Sequence, residues 1–174
     1  MGSDASSNFD TYMLDSNIFD KLIDDDEALK AAGTLVESGQ VRLISTYLQR
    51  DEIERTADTE RRSRLLSVPC EEVPTYGIVA GYWRIGMARL SEAEPFETLQ
   101  GGNVNHTEDA LIAATARYER ATFVTEDRTA ASRSRKQGIP TIGWAELRSR
   151  LTLAAAGISK GSQIGSSGDP EADC

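Results

Sequence analysis

The sequence predicts an α/β fold: a central, mostly parallel sheet in a three-layer α/β/α arrangement, with helices on both faces. Three observations carry this reading. Short apolar runs, "TYML" (11–14), "VRLIST" (41–46) and "TFV" (122–124), have the length and composition of strands. Stretches of a dozen or more residues with apolar positions at helical spacing separate them. Connections of that length suit parallel crossovers, which leave the carboxyl ends of the strands along one edge, where ligands bind.

The elements follow in order. Residues 1–10, "MGSDASSNFD", are small and polar and are expected to be disordered. The first strand then runs straight into Asp15. Behind it, Ile18, Leu22, Leu29, Ala32, Leu35 and Val36 recur at helical spacing, interrupted by the acidic run Asp24 to Glu27, which reads as a solvated helix face. Gly39 suits a helix C-cap. After "VRLIST" the period is helical again from Tyr47 to Leu66, ending before Pro69.

The stretch 76–93, "YGIVAGYWRIGMARLSEA", is expected to be a helix despite its glycines, with Tyr82 and Trp83 serving core or dimer packing. A helix with alanine-rich turns starts at Thr107, just after His106, and leads into "TFV". "RTAASRSRKQG" is a helix stopped by Gly138, with Pro140 two residues later. "IPTIGWAEL" is a last strand feeding a short helix. Beyond about Ala156 the chain is rich in Gly, Ser and Asp and has no periodic face. The folded domain is therefore expected over 11–156, with 157–174 a disordered acidic tail.

At 174 residues the chain is long enough to bury one substantial core. No apolar run approaches a membrane span, and the N-terminus lacks the regions of a signal peptide. Cys70 and Cys174 are the two cysteines and make no disulfide framework, so a reducing, cytoplasmic setting is expected. A net charge of −9 argues against a nucleic-acid coat protein, which would be basic. It leaves room for an enzyme that meets phosphates through bound cations.

Four places send an acid toward the carboxyl edge of the sheet. Asp15 ends strand one, and Glu52 lies on the helix that follows strand two. Asp109 stands in the first turn of the helix that returns to strand "TFV", and Asp127 follows that strand. Singly, each has an ordinary explanation: Asp15 and Asp127 as helix N-caps, Asp109 as a match to a helix dipole, Glu52 as part of a charged face. Together they share an edge, which those explanations do not account for. Gathered carboxylates repel unless cations neutralise them, and an all-oxygen set suits Mg²⁺ or Mn²⁺. Such sites hydrolyse phosphodiesters.

"YMLDSNIF", "STYLQRDEI", "EDALIAATA" and "FVTEDRTA", in that order and spacing, resemble the PIN-domain ribonucleases, and most closely the toxin subunits of bacterial type II (VapC-type) toxin–antitoxin pairs. The resemblance runs from about Tyr12 to Trp144. It implies a PIN-like fold and a metal-dependent endoribonuclease acting on single-stranded RNA. It also implies Asp15, Glu52, Asp109 and Asp127 as ligands of Mg²⁺ or Mn²⁺, a homodimer, and an antitoxin as partner. Asn17 would orient the first aspartate or touch substrate, and Thr125 would support the site. Asp51 adjoins Glu52 in the second motif, but Glu52 followed by Ile53 fits better. Glu126 stands where the family has asparagine, as an extra ligand or a solvent-facing acid.

Arg61, Arg62, Arg64 and Arg128, with Arg133, Arg135 and Lys136, are candidate phosphate contacts. Cys70 has no nucleophile context. An aspartyl-phosphate hydrolase would need a second acid where Asn17 stands, and no glycine-rich GK[ST] loop is present. The alternative from another class is a catalytically inactive PIN-like module that binds RNA or protein without cutting.

Overall fold

The computed structural model describes residues 9–76, 88–89 and 107–163. β1 (Asp10–Leu14) leads into α1 (Ser16–Ile23) and α2 (Asp26–Glu37), then β2 (Val41–Ser45), α3 (Tyr47–Glu54) and α4 (Thr59–Leu66). Three two-residue strands follow: β3 (Glu71–Glu72), β4 (Thr75–Tyr76) and β5 (Ala88–Arg89). The last part comprises α5 (Thr107–Tyr118), β6 (Thr122–Val124), α6 (Arg128–Lys136), β7 (Thr141–Ile142) and α7 (Trp144–Gln163).

The main sheet has the order β3-β2-β1-β6-β7, and every described pairing in it is parallel. Tyr12 faces Leu43 on one side and Thr122 on the other, so β1 is the central strand. The chain winds outward one way through β2 and β3, then the other way through β6 and β7. The direction reverses between β1 and β6, and a crevice opens there beyond the strands' carboxyl ends.

Alternation along the strands divides the core in two. Tyr12, Leu14, Leu43 and Val124 point to one face, where α1, α2, α4 and α7 cover them through Ile18, Leu22, Leu35, Leu65, Leu147 and Leu151. Met13, Ile44 and Phe123 point to the other, against Ala110, Ala113 and Ala116 of α5 and Ala130 of α6. The alanine-rich α5 is buried along most of its length. Small side chains let a helix lie close to a sheet. Gly39 (φ 69°) and Gly138 (φ 73°) take the left-handed conformation that ends α2 and α6, as their positions in the sequence suggest.

Four expectations need correction. The Asp24–Glu27 run is exposed at Asp24, Asp26 and Glu27, as expected, but it marks a helix junction rather than one continuous helix face. Asp24 ends α1, and Asp25 caps α2 by accepting from Ala28 N at 3.0 Å. Arginines from α4 and α7 hold that junction, with Arg61 Nη2 2.6 Å from Asp20 Oδ1 and Arg148 Nε 2.6 Å from Asp25 Oδ2. The helical stretch from Tyr47 to Leu66 breaks into two, because Asp58 caps a new helix through Glu60 N and Arg61 N. Tyr76 belongs to β4, which pairs in parallel with β5, so Tyr76, Ala88 and Arg89, the described residues of the expected 76–93 helix, are extended. The rest of that helix, with Tyr82 and Trp83, lies outside the described residues, as does His106.

The fourth correction concerns the C-terminal boundary. α7 continues past Ala156 to Gln163, since Ile158 extends the apolar stripe of Leu147, Leu151 and Ala155 against the core. Among the described residues, no helix is long and apolar enough to cross a membrane.

Candidate functional site

Asp15 follows the central strand and caps α1, with Oδ1 accepting from Ser16 N at 2.8 Å. Its other oxygen, Oδ2, accepts from Asn17 Nδ2 at 2.7 Å and from the Thr125 hydroxyl at 2.5 Å. Asn17 turns its own carbonyl to Glu126 N at 3.2 Å, and Thr125 Oγ1 accepts from Asp127 N at 3.0 Å. Two short polar side chains thus bind the loop after β1 to the loop after β6. Asp15 is only 8% exposed. Burial pushes its carboxyl above the ordinary range; its three donors oppose that, and the nearby Glu52 charge adds to it.

Glu52 comes from α3, whose start is held by a capping box between Thr46 and Gln49. Asp109 sits in the first turn of α5. Asp127 caps α6, with Oδ1 accepting from Thr129 N at 2.6 Å and Ala130 N at 2.9 Å. All four acids line a single cleft of about 240 Å³, together with Ser16, Asn17, Leu48, Glu108 and Ile112. The cleft lies at the strand-order reversal, where four different elements converge. Of the adjoining pair in the second motif, Glu52 lines the cleft and Asp51 does not.

The other candidates divide. Thr125 and Asn17 hold Asp15, as described. Glu126 is neither a cleft acid nor simply solvated: its Oε1 accepts from Trp144 N at 2.7 Å, at the start of α7. Arg61 is paired with Asp20 and Asp24, and Arg62 donates to the Thr56 carbonyl at 3.0 Å. Arg64 donates to the Ile23 carbonyl and pairs with Asp26. None of these three lines the cleft, so their positive charge serves the helix junctions. Arg135 donates to the Thr141 carbonyl at 3.2 Å. Arg128, exposed and next to Asp127, has no hydrogen-bond or ion-pair partner among the described residues. Burial pushes the Cys70 thiol up to about 12, which leaves it protonated and a poor nucleophile.

Gln49 and Glu108 escaped the sequence reading. Glu108 is exposed and lines the cleft beside Asp109. Gln49 is buried behind the cleft, with its amide against the end of β1.

The donor set suits a hard divalent cation in kind, being all carboxylate with no sulfur or imidazole in the lining. Its spacing is open: among the described residues, no three acids stand close enough to hold one ion. Asp15 and Asp127 are each engaged in a helix cap, and the four side chains would have to draw together to hold one ion.

Solved structures share this architecture. A PilT N-terminus domain protein from Sulfolobus solfataricus P2 superposes with a TM-score of 0.51 at 16% identity, covering 81% of this chain and 92% of its own. PAE2754 from Pyrobaculum aerophilum gives 0.52 at 14% identity, covering 86% and 98%. VapBC2 from Rickettsia felis, bound to a DNA fragment from its promoter, gives 0.44 at 16% identity, covering 77% and 98%. No family model matches the sequence, and no curated protein matches it. At these identities the first two likenesses are of fold, and that fold is PIN-like α/β/α.

Proposed function

We propose that this PIN-like chain is a cytoplasmic, Mg²⁺- or Mn²⁺-dependent endoribonuclease that hydrolyses phosphodiester bonds of single-stranded RNA, and is the toxin of a toxin–antitoxin pair. The observation that carries the nuclease reading is the convergence of Asp15, Glu52, Asp109 and Asp127 on one cleft at the strand-order reversal. The toxin role, the antitoxin partner and the homodimer rest on the sequence resemblance alone.

The geometry supports a division of labour. Asp15, buried and fixed by three donors, is the anchoring ligand, and Glu52, Asp109 and Asp127 complete the acid set from three helices. A bound cation supplies Lewis acidity, lowering the pKa of a water and neutralising charge on the leaving oxygen. Thr125 and Asn17 join the two site loops, which ties the position of Asp15 to that of Asp127. Leu48 and Ile112 offer an apolar wall against which a base or ribose can lie. Arg128, exposed beside Asp127 and unpaired among the described residues, is a candidate phosphate contact.

Incubating the chain with a labelled single-stranded RNA tests this. Cleavage that requires Mg²⁺ or Mn²⁺ and leaves 5′-phosphate ends is expected. Undiminished cleavage in excess EDTA, or 2′,3′-cyclic phosphate products, would refute it. The open spacing of the acids favours a second reading, a PIN-like module that binds RNA or protein without cutting it. Tight RNA binding with no metal-dependent cleavage would establish that instead.

A further inference from the structure

Gln49 is the third residue of α3 and is 1% exposed. Its amide serves two elements. Oε1 accepts from Thr46 N at 2.9 Å and meets the Thr46 hydroxyl, which closes the capping box. Nε2 donates to the Leu14 carbonyl at 2.8 Å, across 35 residues of sequence. Capping a helix needs only the acceptor, which glutamate supplies equally well. The donor half does something else: it ties α3 to the last residue of the central strand.

That strand residue immediately precedes Asp15. Glu52 is three residues after Gln49 on α3, so it stands one turn further along the helix. The amide is therefore a strap between the backbones that carry two of the cleft's acids. A primary amide both accepts and donates in fixed directions. A carboxylate cannot donate, and an ammonium cannot accept.

We propose that Gln49 is a positioning residue: by strapping α3 to the end of β1 it sets the separation of Asp15 and Glu52, and so the affinity of the cleft for a divalent cation. This rests on the cation-dependent reading above. Gln49 touches neither substrate nor cation and acts through the two acids. Gln49→Met keeps the length and apolar packing of the side chain while removing both halves of the strap. Partners that orient ligands in this way carry about a 10–100-fold effect on metal affinity.

The test is a Mn²⁺ titration followed by electron paramagnetic resonance on wild type, Gln49→Met and Leu35→Val, with melting curves for all three. Leu35 is buried in α2, is not among the cleft's lining residues, and reports what lost stability alone does. Gln49→Met is expected to bind Mn²⁺ at least about tenfold more weakly, with RNA cleavage largely recovered at saturating Mn²⁺. Leu35→Val should keep wild-type affinity. If Gln49→Met does not fold, Gln49→Asn makes the same comparison, because it keeps the amide but falls one methylene short of spanning both partners. Wild-type Mn²⁺ affinity in a folded Gln49 variant overturns the positioning role and leaves the nuclease reading standing. Absence of Mn²⁺ binding in wild type overturns both.

Discussion

The hydroxyl of Thr125 donates to Asp15 Oδ2 at 2.5 Å while accepting from Asp127 N at 3.0 Å, so one side chain links the acid after β1 to the acid after β6. Thr125 is buried at 3% exposure. Thr125→Val keeps the shape and deletes the hydroxyl, leaving Asp127 N without this acceptor and Asp15 short of a donor. A loss of about 1–3 kcal/mol in urea unfolding is expected, with a fall in metal-dependent cleavage. Thr125→Ser should recover most of both, and an unchanged unfolding midpoint in Thr125→Val would show that the hydroxyl carries no weight.

Asp109 and Glu108 offer a comparison one residue apart. Both line the cleft, but they point about 100° from one another on α5. Asp109→Asn removes one charge from the acid set and should lower cleavage by two orders of magnitude or more, on the order of what metal-assisted chemistry supplies. Glu108→Gln should cost no more than about a few-fold, since first-turn charges contribute only tenths of a kcal/mol through the dipole. Initial rates on a labelled RNA decide it. Equal losses would mean that Glu108 shares the ligand role.

The C-terminal helix gives a stability prediction. Truncation after Ala156 removes Ile158, which packs on the core, whereas truncation after Gln163 keeps it. Half-burying an isoleucine is worth about 1 kcal/mol, so the shorter chain should melt about 2–4 °C below the longer one. Coincident melts would show that the last turns of α7 contribute nothing.

The Arg148–Asp25 pair predicts a pH dependence. A hydrogen bond from Arg148, followed by the Ala28 N–H of the cap, holds the Asp25 carboxyl below its ordinary 3.8. A depressed folded pKa means that the stabilisation is present above pH 3.8 and is lost as pH falls through the lower folded value. Arg148→Gln should therefore be less stable than wild type at pH 7, with the gap narrowing in strong acid. Denaturant midpoints at neutral and strongly acid pH check this, and a gap that does not change with pH would assign the loss to packing of the arginine stem.

Where the sequence succeeded and where it failed has a physical pattern. Asp15 was legible because an apolar strand ending in an acid is a local signal, and so were the C-caps at Gly39 and Gly138. Gln49 was illegible because its donor bond reaches Leu14, 35 residues away, and a lone polar residue in a helix looks like part of a solvated face. Glu126 is exposed, one of the two outcomes expected of it, but its bond from Trp144 N was illegible for the same reason. Strands of two residues such as β3 and β4 are too short to show alternation. The end of α7 was hidden by its Gly- and Ser-rich composition, which packing of Ile158 overrides.

Asp15→Asn is the most direct test of the central claim, that these acids form a cation site for phosphodiester hydrolysis. Wild type and variant should be melted with and without Mn²⁺ and assayed on the same single-stranded RNA. The metal-free melting temperature should fall slightly, because asparagine presents one acceptor oxygen to the three donors that Asp15 holds, a loss partly offset by removing a buried charge. The stabilisation by Mn²⁺ seen in wild type should disappear, and cleavage with it. An Asp15→Asn chain that Mn²⁺ still stabilises and that cuts RNA at the wild-type rate would contradict the account.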